Sequence, residues 1–219
     1  MRIDLHTHTL LSDGVLLPIE LARRASVMKH EALAFTDHAS LGSIERVVSE
    51  AGRDAELASE WGLEVLAGCE LTHVPAARLD EVVSAARRAG AEIIVVHGET
   101  ISEPVEKGTN GAAARNPEVD ILAHPGLITE KDAQAAADND VALEITSRPS
   151  HGMTNGHVAA MARKVGARLI VNSDAHSPGD LIAEERAMLI AAGAGLSPQE
   201  AERAVVTTPR DIVRRIRGR

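Results

Sequence analysis

Residues 4–14 read DLHTHTLLSDG and residues 172–176 read NSDAH, two segments far apart in the chain that each carry a pair of metal-binding side chains. In an extended strand, side chains two residues apart point to the same face. His-x-His therefore places two imidazoles side by side, and Asp-x-His does the same for a carboxylate and an imidazole. Imidazole is a good ligand for zinc, iron, nickel and copper ions. Together the two segments predict one metal site built from distant parts of the chain.

Short aliphatic runs alternate with helical stretches along the chain. Seven runs are predicted as strands, at 2–6, 31–36, 64–70, 92–97, 120–124, 141–146 and 168–173. The stretches between and after them have helical periodicity, near 18–29, 43–60, 75–89, 109–116, 130–139, 154–165 and 179–192. The tail from residue 197 predicts two more short helices, broken near Thr208 and Pro209. Seven strand–helix repeats imply a parallel sheet with right-handed crossovers, either closed into a barrel or open and doubly wound. In both layouts ligands bind at the carboxyl ends of the strands.

The predicted strands end in titratable side chains, which favours the barrel. These side chains are His6, His8, Asp37, His38, Glu70, His97, His124, Glu144, Asp174 and His176. One such histidine or glutamate is more often structural than a ligand, and Asp13 before Gly14 is most simply a turn residue. A purely structural role would have to apply independently at nearly every strand end. Each buried polar group left without a partner there would cost about 2–7 kcal/mol. We therefore expect a metal site at the mouth of a barrel. His151 and His157 flank a glycine-rich loop and are assigned to its rim.

The composition argues against several function classes. The 219 residues include 23 Lys and Arg and 32 Asp and Glu, a net charge of −9, which opposes general affinity for nucleic acid or for an anionic membrane. Phe35 and Trp61 are the only aromatic residues, too few for a platform on which bases stack. With Cys69 as the single cysteine, no internal disulfide forms and a reducing compartment is expected. We expect no leader peptide, and no apolar run approaches the roughly 20 residues of a membrane span. We expect a single cytoplasmic domain over residues 1–219.

In order along the chain, the motifs resemble those of the PHP family, named for polymerase and histidinol phosphatase domains. The matching motifs are His6-x-His8 with Asp13, Asp37-His38, Gly68-x-Glu70, His97, His124-Pro125 and Asp174-x-His176. The resemblance implies a distorted (β/α)7 TIM-like barrel that holds up to three divalent ions (Zn, Mn or Fe) at the strand carboxyl ends. It assigns the first ion to His6, His8, Glu70 and Asp174. It assigns a second ion to Glu70, His97 and His124, and a third to Asp13, His38 and His176.

The function that this resemblance implies is phosphoester hydrolysis. We predict that a metal-bound hydroxide hydrolyses the phosphate monoester of a small metabolite, as in the histidinol phosphatase branch, because metal ions lower the pKa of bound water. Arg148, just past the strand that ends near Glu144, is the predicted phosphate contact, since arginine grips phosphate with two hydrogen bonds. Asp13, His38 and His176 are further catalytic candidates, and Asp37 is expected to orient His38.

Three other functions fit part of the pattern. A phosphodiesterase acting on a nucleotide or an oligonucleotide end would use the same ions, and the basic tail at residues 210–219 favours it. That tail is more simply a C-terminal helix with exposed arginines. An amidohydrolase would leave Asp13, His38 and the Asp-x-His pair unexplained, and a non-catalytic barrel would not need the ligand set. We expect a small phosphorylated substrate as partner, and neither nucleic acid nor membrane; the oligomeric state stays open.

Overall fold

A computed structural model describes residues 2–218 of the chain. The strands are β1 (Arg2–Asp4), β2 (His30–Phe35), β3 (His38–Ala39), β4 (Glu64–Leu71), β5 (Ile93–His97), β6 (Ile121–Ala123), β7 (Ala142–Thr146) and β8 (Leu169–Asn172). The helices are α1 (Pro18–Val27), α2 (Ile44–Ala58), α3 (Leu79–Arg88), α4 (Thr109–Ala114), α5 (Glu130–Asp138), α6 (Asn155–Val165), α7 (Glu184–Gly193), α8 (Pro198–Glu202) and α9 (Thr208–Arg217). Within this part of the chain, no helix combines the length and apolar character required to traverse a bilayer.

The strands form one parallel sheet in the order β1-β2-β4-β5-β6-β7-β8, and β3 pairs with β4 beyond the end of β2. The first and last strands meet through an isolated parallel bridge between Thr7 and Ala175. Strands β1 and β8 are not joined by a regular ladder of backbone hydrogen bonds. Between them, the Asn172 side-chain oxygen accepts a hydrogen bond of 3.0 Å from the backbone N–H of Leu5. The sheet is thus almost closed, and the predicted seven-unit α/β barrel is confirmed. The two-residue strand β3 was not predicted.

Apolar side chains from the strands fill the inside of the barrel, and the C-terminal helix covers one end of it. Ile212, Val213 and Ile216 of α9 are buried in the same cluster as Ile3 and Leu66 from the strands. Burying a side chain of this size contributes about 1.5–3 kcal/mol. Other apolar clusters join the outer face of the sheet to the surrounding helices. The core therefore continues from inside the barrel onto α9.

The basic tail forms ion pairs at the amino ends of the strands. Arg215 lies 3.1 Å from the buried carboxylate of Asp120, just before β6, and Arg217 lies 2.7 Å from Glu64 at the start of β4. The tail therefore sits at the end of the barrel opposite the strand carboxyl ends. Arg219 lies outside the described residues.

Two predicted helix boundaries are wrong. The chain does not break before Pro209: it stays helical through a π-type turn, Arg203–Thr207, into α9. Pro209 has no N–H to donate to this continuous helix, and the wider π-type turn directly before it is the local adjustment that accommodates the proline,. Helix α7 begins at Glu184 and not near 179. The reason is a turn in which the Asp180 carboxylate accepts the backbone N–H of Ser177 at 2.7 Å.

Candidate metal centre

The carboxyl ends of the strands bring the nine predicted metal ligands to one face of the barrel, as expected when parallel strands close around an axis. Their ligand atoms fall into overlapping groups with separations within 4.8 Å. One group is His6, His8 and Glu70, and another is His6, His124 and Asp174. A third group joins His8 to the predicted third-ion set of Asp13, His38 and His176.

Glu70 is the centre of this arrangement. It lies on β4 and pairs in register with His38 of β3, so the short extra strand places His38 beside it. Its two carboxylate oxygens lie 3.4 Å from Nε2 of His6, 3.6 Å from Nε2 of His8 and 3.6 Å from Nε2 of His124. One carboxylate thus reaches residues from all the predicted ion sets, as a bridging ligand must.

The surroundings of Glu70 test whether this chain fits divalent ions. The side chain is fully buried, and among residues 2–218 neither oxygen has a well-aligned hydrogen bond, although Nδ1 of His38 lies 2.7 Å from Oε2. Nδ1 of His8 and Nδ1 of His124 are also buried without hydrogen-bond partners. A buried carboxylate is costly unless a cation compensates it. Imidazole and carboxylate donors together suit zinc, iron or manganese. The residues present therefore fit a cluster of divalent ions.

The pKa values of these side chains reflect burial acting against the charges of their neighbours. Burial alone would raise the pKa of Glu70, but the imidazoles around it, His6 first, hold that pKa well below 4.5. Burial, more than any neighbouring charge, raises the pKa of Asp174 to about 7. Burial also lowers the pKa of His124 well below 6.5, so its ring is neutral and keeps a lone pair for a metal,. At Asp13 burial acts in the opposite direction, but His176 and His38 lower the pKa to about 2.

Glu144, the middle residue of β7, contacts two of the predicted ligands, His6 and His124. Its carboxylate lies 2.8 Å from Nδ1 of His6, and it accepts hydrogen bonds from the side-chain amide of Asn172 at 2.9 Å and from the backbone N–H of His124 at 3.1 Å. A carboxylate on the far nitrogen of a ligating histidine fixes the tautomer and the ring orientation. The sequence pattern placed Glu144 at a strand end but assigned it no role.

Asp37 does not orient His38, and that expectation is wrong. The Asp37 carboxylate accepts hydrogen bonds of 2.7 Å from the backbone N–H of Thr9 and 2.7 Å from the Ser12 hydroxyl. Nδ1 of His38 instead lies 2.6 Å from the hydroxyl of Thr72. Adjacent residues of an extended segment point to opposite sides, so Asp37 anchors the loop that carries Asp13.

Two of the predicted ligands have left-handed backbone conformations. The φ angle is +27° at His124 and +53° at Asp174. Side-chain-bearing residues in this region cost about 1–3 kcal/mol each, and such residues cluster at functional sites. The sequence carries no signal for either conformation.

Residues from the loops after β5 and β7 complete the mouth. The guanidinium of Arg148 contacts Nδ1 of His176 and donates to the backbone oxygen of Asp174 at 3.3 Å, so it faces the ligand cluster with about a third of its surface exposed. His151, assigned to the rim from the sequence, is instead 5% exposed and lies against His124. Sequence reasoning also missed Glu103, which follows no strand end and carries no motif.

Comparisons with known proteins place the chain in a family. The model of the family described as RNase P subunit p30 matches residues 1–219. An uncharacterized protein of Methanocaldococcus jannaschii is 45% identical over 99% of this chain and 100% of its own length. Ribonuclease P protein component 3 of Methanosarcina mazei is 30% identical over 94% of this chain and 86% of its own.

Solved structures share the barrel. One is a chain of archaeal ribonuclease P with mature tRNA, with a TM-score of 0.71, 17% identity, and coverage of 98% of this chain and 89% of that one. Another is histidinol phosphate phosphatase from Lactococcus lactis with zinc, L-histidinol and phosphate, with a TM-score of 0.58, 14% identity, and coverage of 98% and 93%. At these identities the likeness concerns the fold. The predicted PHP-like barrel is supported, whereas the narrower resemblance to histidinol phosphatases is not confirmed.

These comparisons correct one prediction. Acidic composition and scarce aromatic residues led us to expect no nucleic-acid partner, and the match to a ribonuclease P subunit family contradicts that expectation. Net charge is a sum over the whole surface, and it does not report the field at one face or a role inside a ribonucleoprotein assembly. Base stacking is likewise one of several ways of contacting RNA, and shape and backbone contacts need no aromatic residue. Over its full length, the chain belongs to the RNase P subunit p30 family.

Proposed function

We propose that this protein is a metal-dependent phosphoesterase that hydrolyses a terminal phosphate monoester. The observation that carries the proposal is the donor set: the eight other candidate ligands surround one buried carboxylate, Glu70, whose oxygens have no well-aligned hydrogen bond within residues 2–218. A barrel that serves only as a structural subunit gains nothing from this arrangement, because a buried carboxylate without aligned hydrogen bonds destabilises a fold.

The chain supplies the ligands, their orientation and a phosphate contact. Divalent ions, when bound, lower the pKa of water and neutralise the charge on phosphate oxygens. Glu70 and the histidines around it would hold the ions, and Glu144 keeps His6 in the required tautomer,. Asp13, with a pKa of about 2, is ionised at neutral pH and suits the role of a ligand. Arg148 would bind the non-bridging oxygens of the phosphate.

The size of the cleft favours a terminal phosphate. The space between Asp13, Glu103, Arg148 and His176 measures about 30 Å³, far less than the roughly 300–1,000 Å³ of pockets that enclose a small molecule. A phosphoryl group is small enough to approach the cluster, while the alcohol part of the substrate would remain outside, over the surrounding loops. A phosphate within a continuous chain would have to bring backbone on both sides into the same narrow opening.

Phosphodiester hydrolysis at the end of a nucleotide or an RNA is the second candidate. Family membership favours it, because the matching family is a ribonuclease P subunit. The basic tail does not, because Arg215 and Arg217 pair with carboxylates at the opposite end of the barrel.

A side-by-side assay tests both candidates. The metal-free protein is loaded with Mn²⁺ or Zn²⁺, and hydrolysis of an aryl phosphate monoester and of the matching diester is measured, followed by 5′-phosphorylated RNA. Faster monoester hydrolysis supports the proposal, and faster diester hydrolysis supports the second candidate. Glu70→Ala and His124→Ala should lose metal and activity together while circular dichroism shows an intact barrel. His157→Ala, which removes a histidine hydrogen-bonded to the Ile128 carbonyl outside the cluster, should behave like the unmodified protein. Normal turnover in both ligand variants would refute the proposed centre.

A further inference from the structure

His151 lies beside two predicted ligands, yet the family pattern gives it no role. Its ring stacks on that of His124, with centroids 4.2 Å apart and an angle of 17° between the planes. The edge of the ring faces His97 at a centroid distance of 5.9 Å. One ring nitrogen from each of these three histidines lies within 4.8 Å of the other two. Three imidazoles thus converge where two were expected.

A hydrogen bond to Thr100, on the side of the ring away from the cluster, fixes the orientation of His151. Its Nδ1 lies 2.8 Å from the hydroxyl of Thr100, and that hydroxyl also accepts the backbone N–H of Ser102 at 3.3 Å. With Nδ1 held in this way, Nε2 is the nitrogen that faces the cluster. Ligating histidines typically keep their other ring nitrogen in such a hydrogen bond, because it fixes the tautomer that leaves a lone pair for the metal.

Glu103 lies on the solvent side of two of these histidines, His97 and His151. Its carboxylate oxygens lie 3.3 Å from Nε2 of His97 and 3.5 Å from Nε2 of His151, and the side chain is 38% exposed. On the inner side, Oε1 of Glu70 lies 3.6 Å from Nε2 of His124. The imidazole nitrogens are therefore flanked by a buried carboxylate and by an exposed one.

We propose that His151 is a third imidazole ligand of the second ion, with Glu103 as a removable carboxylate on its outer side. The inference rests on the proposed metal centre. Three imidazoles and a carboxylate form a typical zinc donor set, and a catalytic zinc site keeps one position that water or substrate can take. Glu103 is suited to that position because it is the exposed member and stands at the mouth, where an incoming phosphate would displace it. This site would then prefer zinc over magnesium, which favours oxygen ligands.

The test measures metal binding and not turnover. The protein is stripped of metal, titrated with Zn²⁺ alone against a fluorescent chelator, and its bound zinc is counted by mass spectrometry. His151→Ala should lower the affinity for one zinc ion by about 10- to 100-fold or abolish its binding, and leave the binding of the other ions unchanged. Thr100→Val keeps the imidazole and loses its hydrogen bond, so it should weaken the same ion by about tenfold. Cobalt in place of zinc should show an altered visible spectrum in His151→Ala.

The controls separate this inference from the proposed function. His157→Ala removes a histidine outside the cluster and should bind zinc like the unmodified protein. If the unmodified protein binds zinc and both His151→Ala and Thr100→Val keep its stoichiometry and affinity, His151 is not a ligand, while the metal centre stands. If the unmodified protein binds no divalent ion, the proposed function fails together with this inference. Should His151→Ala not fold, His151→Gln and Thr100→Val carry the same comparison.

Discussion

The carboxylate of Glu144 lies 2.8 Å from Nδ1 of His6, with both side chains fully buried. His6 follows β1 and Glu144 lies on β7, 138 residues further along the chain, and the contact exists only because the sheet nearly closes. Burial opposes protonation of His6, but Glu144 and the neighbouring carboxylates outweigh it and raise its pKa well above 6.5. A cation is favoured at this position, and a divalent ion on the other ring nitrogen would satisfy the same charge.

Glu144→Gln should weaken metal binding without unfolding the barrel. The amide keeps the size of the side chain but loses the charge that fixes His6, and changes of this kind typically cost about 10- to 100-fold in metal affinity. Chelator competition gives the affinity. Glu81→Gln, on α3, is the matched control because its carboxylate is half exposed and pairs with Arg78. Equal affinities in the two variants would show that Glu144 does not support the ligands.

Arg148→Ala should raise KM for a phosphate ester about tenfold or more and leave the metal content unchanged. Hydrogen bonds to charged groups contribute about 1.5–3 kcal/mol, and the substitution removes them from the bound phosphate. The KM of Arg148→Lys should lie between those of Arg148→Ala and the unmodified protein, because the lysine ammonium keeps the positive charge but cannot form the two parallel hydrogen bonds of a guanidinium. Steady-state kinetics at fixed metal concentration measure the effect. An unchanged KM in Arg148→Ala would remove this residue from the phosphate site.

Arg215→Ala should lower the free energy of unfolding by about 1–3 kcal/mol, the cost of leaving a buried polar group less well satisfied. Asp120 has no exposed surface, but Arg87 remains 2.6 Å from it, so the loss is partial. Urea denaturation gives the value. Arg214→Ala on the same helix is the control: its side chain is 78% exposed, and the change should stay within about 0.5 kcal/mol. Similar midpoints for both variants would mean that the buried pair contributes nothing.

Cys69 should not react with iodoacetamide in the native protein. The thiol lies on β4 without exposed surface, and burial raises its pKa to about 12. Since the thiolate is the reactive form, labelling should occur only after unfolding in concentrated guanidinium. Mass spectrometry of the whole protein counts the label without ambiguity, because the chain has one cysteine. Rapid labelling of the folded protein would place Cys69 in a region that opens locally.

The barrel could be predicted because its signals are local. Runs such as Ile93–His97 show strand length, apolar character and a terminal titratable residue in a few consecutive positions. The alternation of strand side chains is equally local, so His6 and His8 could be paired without knowing any partner. Predictions from sequence failed where the outcome depended on contacts between residues far apart in the chain. The sequence shows that the tail is helical and basic. Only the contacts with Asp120 and Glu64 show that its arginines form ion pairs within the barrel.

By itself, the sequence determined the repeat of strand and helix and the chemical type of the side chain at each strand end, since both depend on neighbouring residues and backbone geometry. Only the tertiary structure decided which of these side chains lie close enough together to share an ion. The bridge between Thr7 and Ala175 brings the first and last strands together, and the loop hydrogen bond from Thr100 holds His151 inside the cluster. Such groupings depend on closure of the sheet and on loop contacts between residues far apart in the chain, which no local pattern encodes.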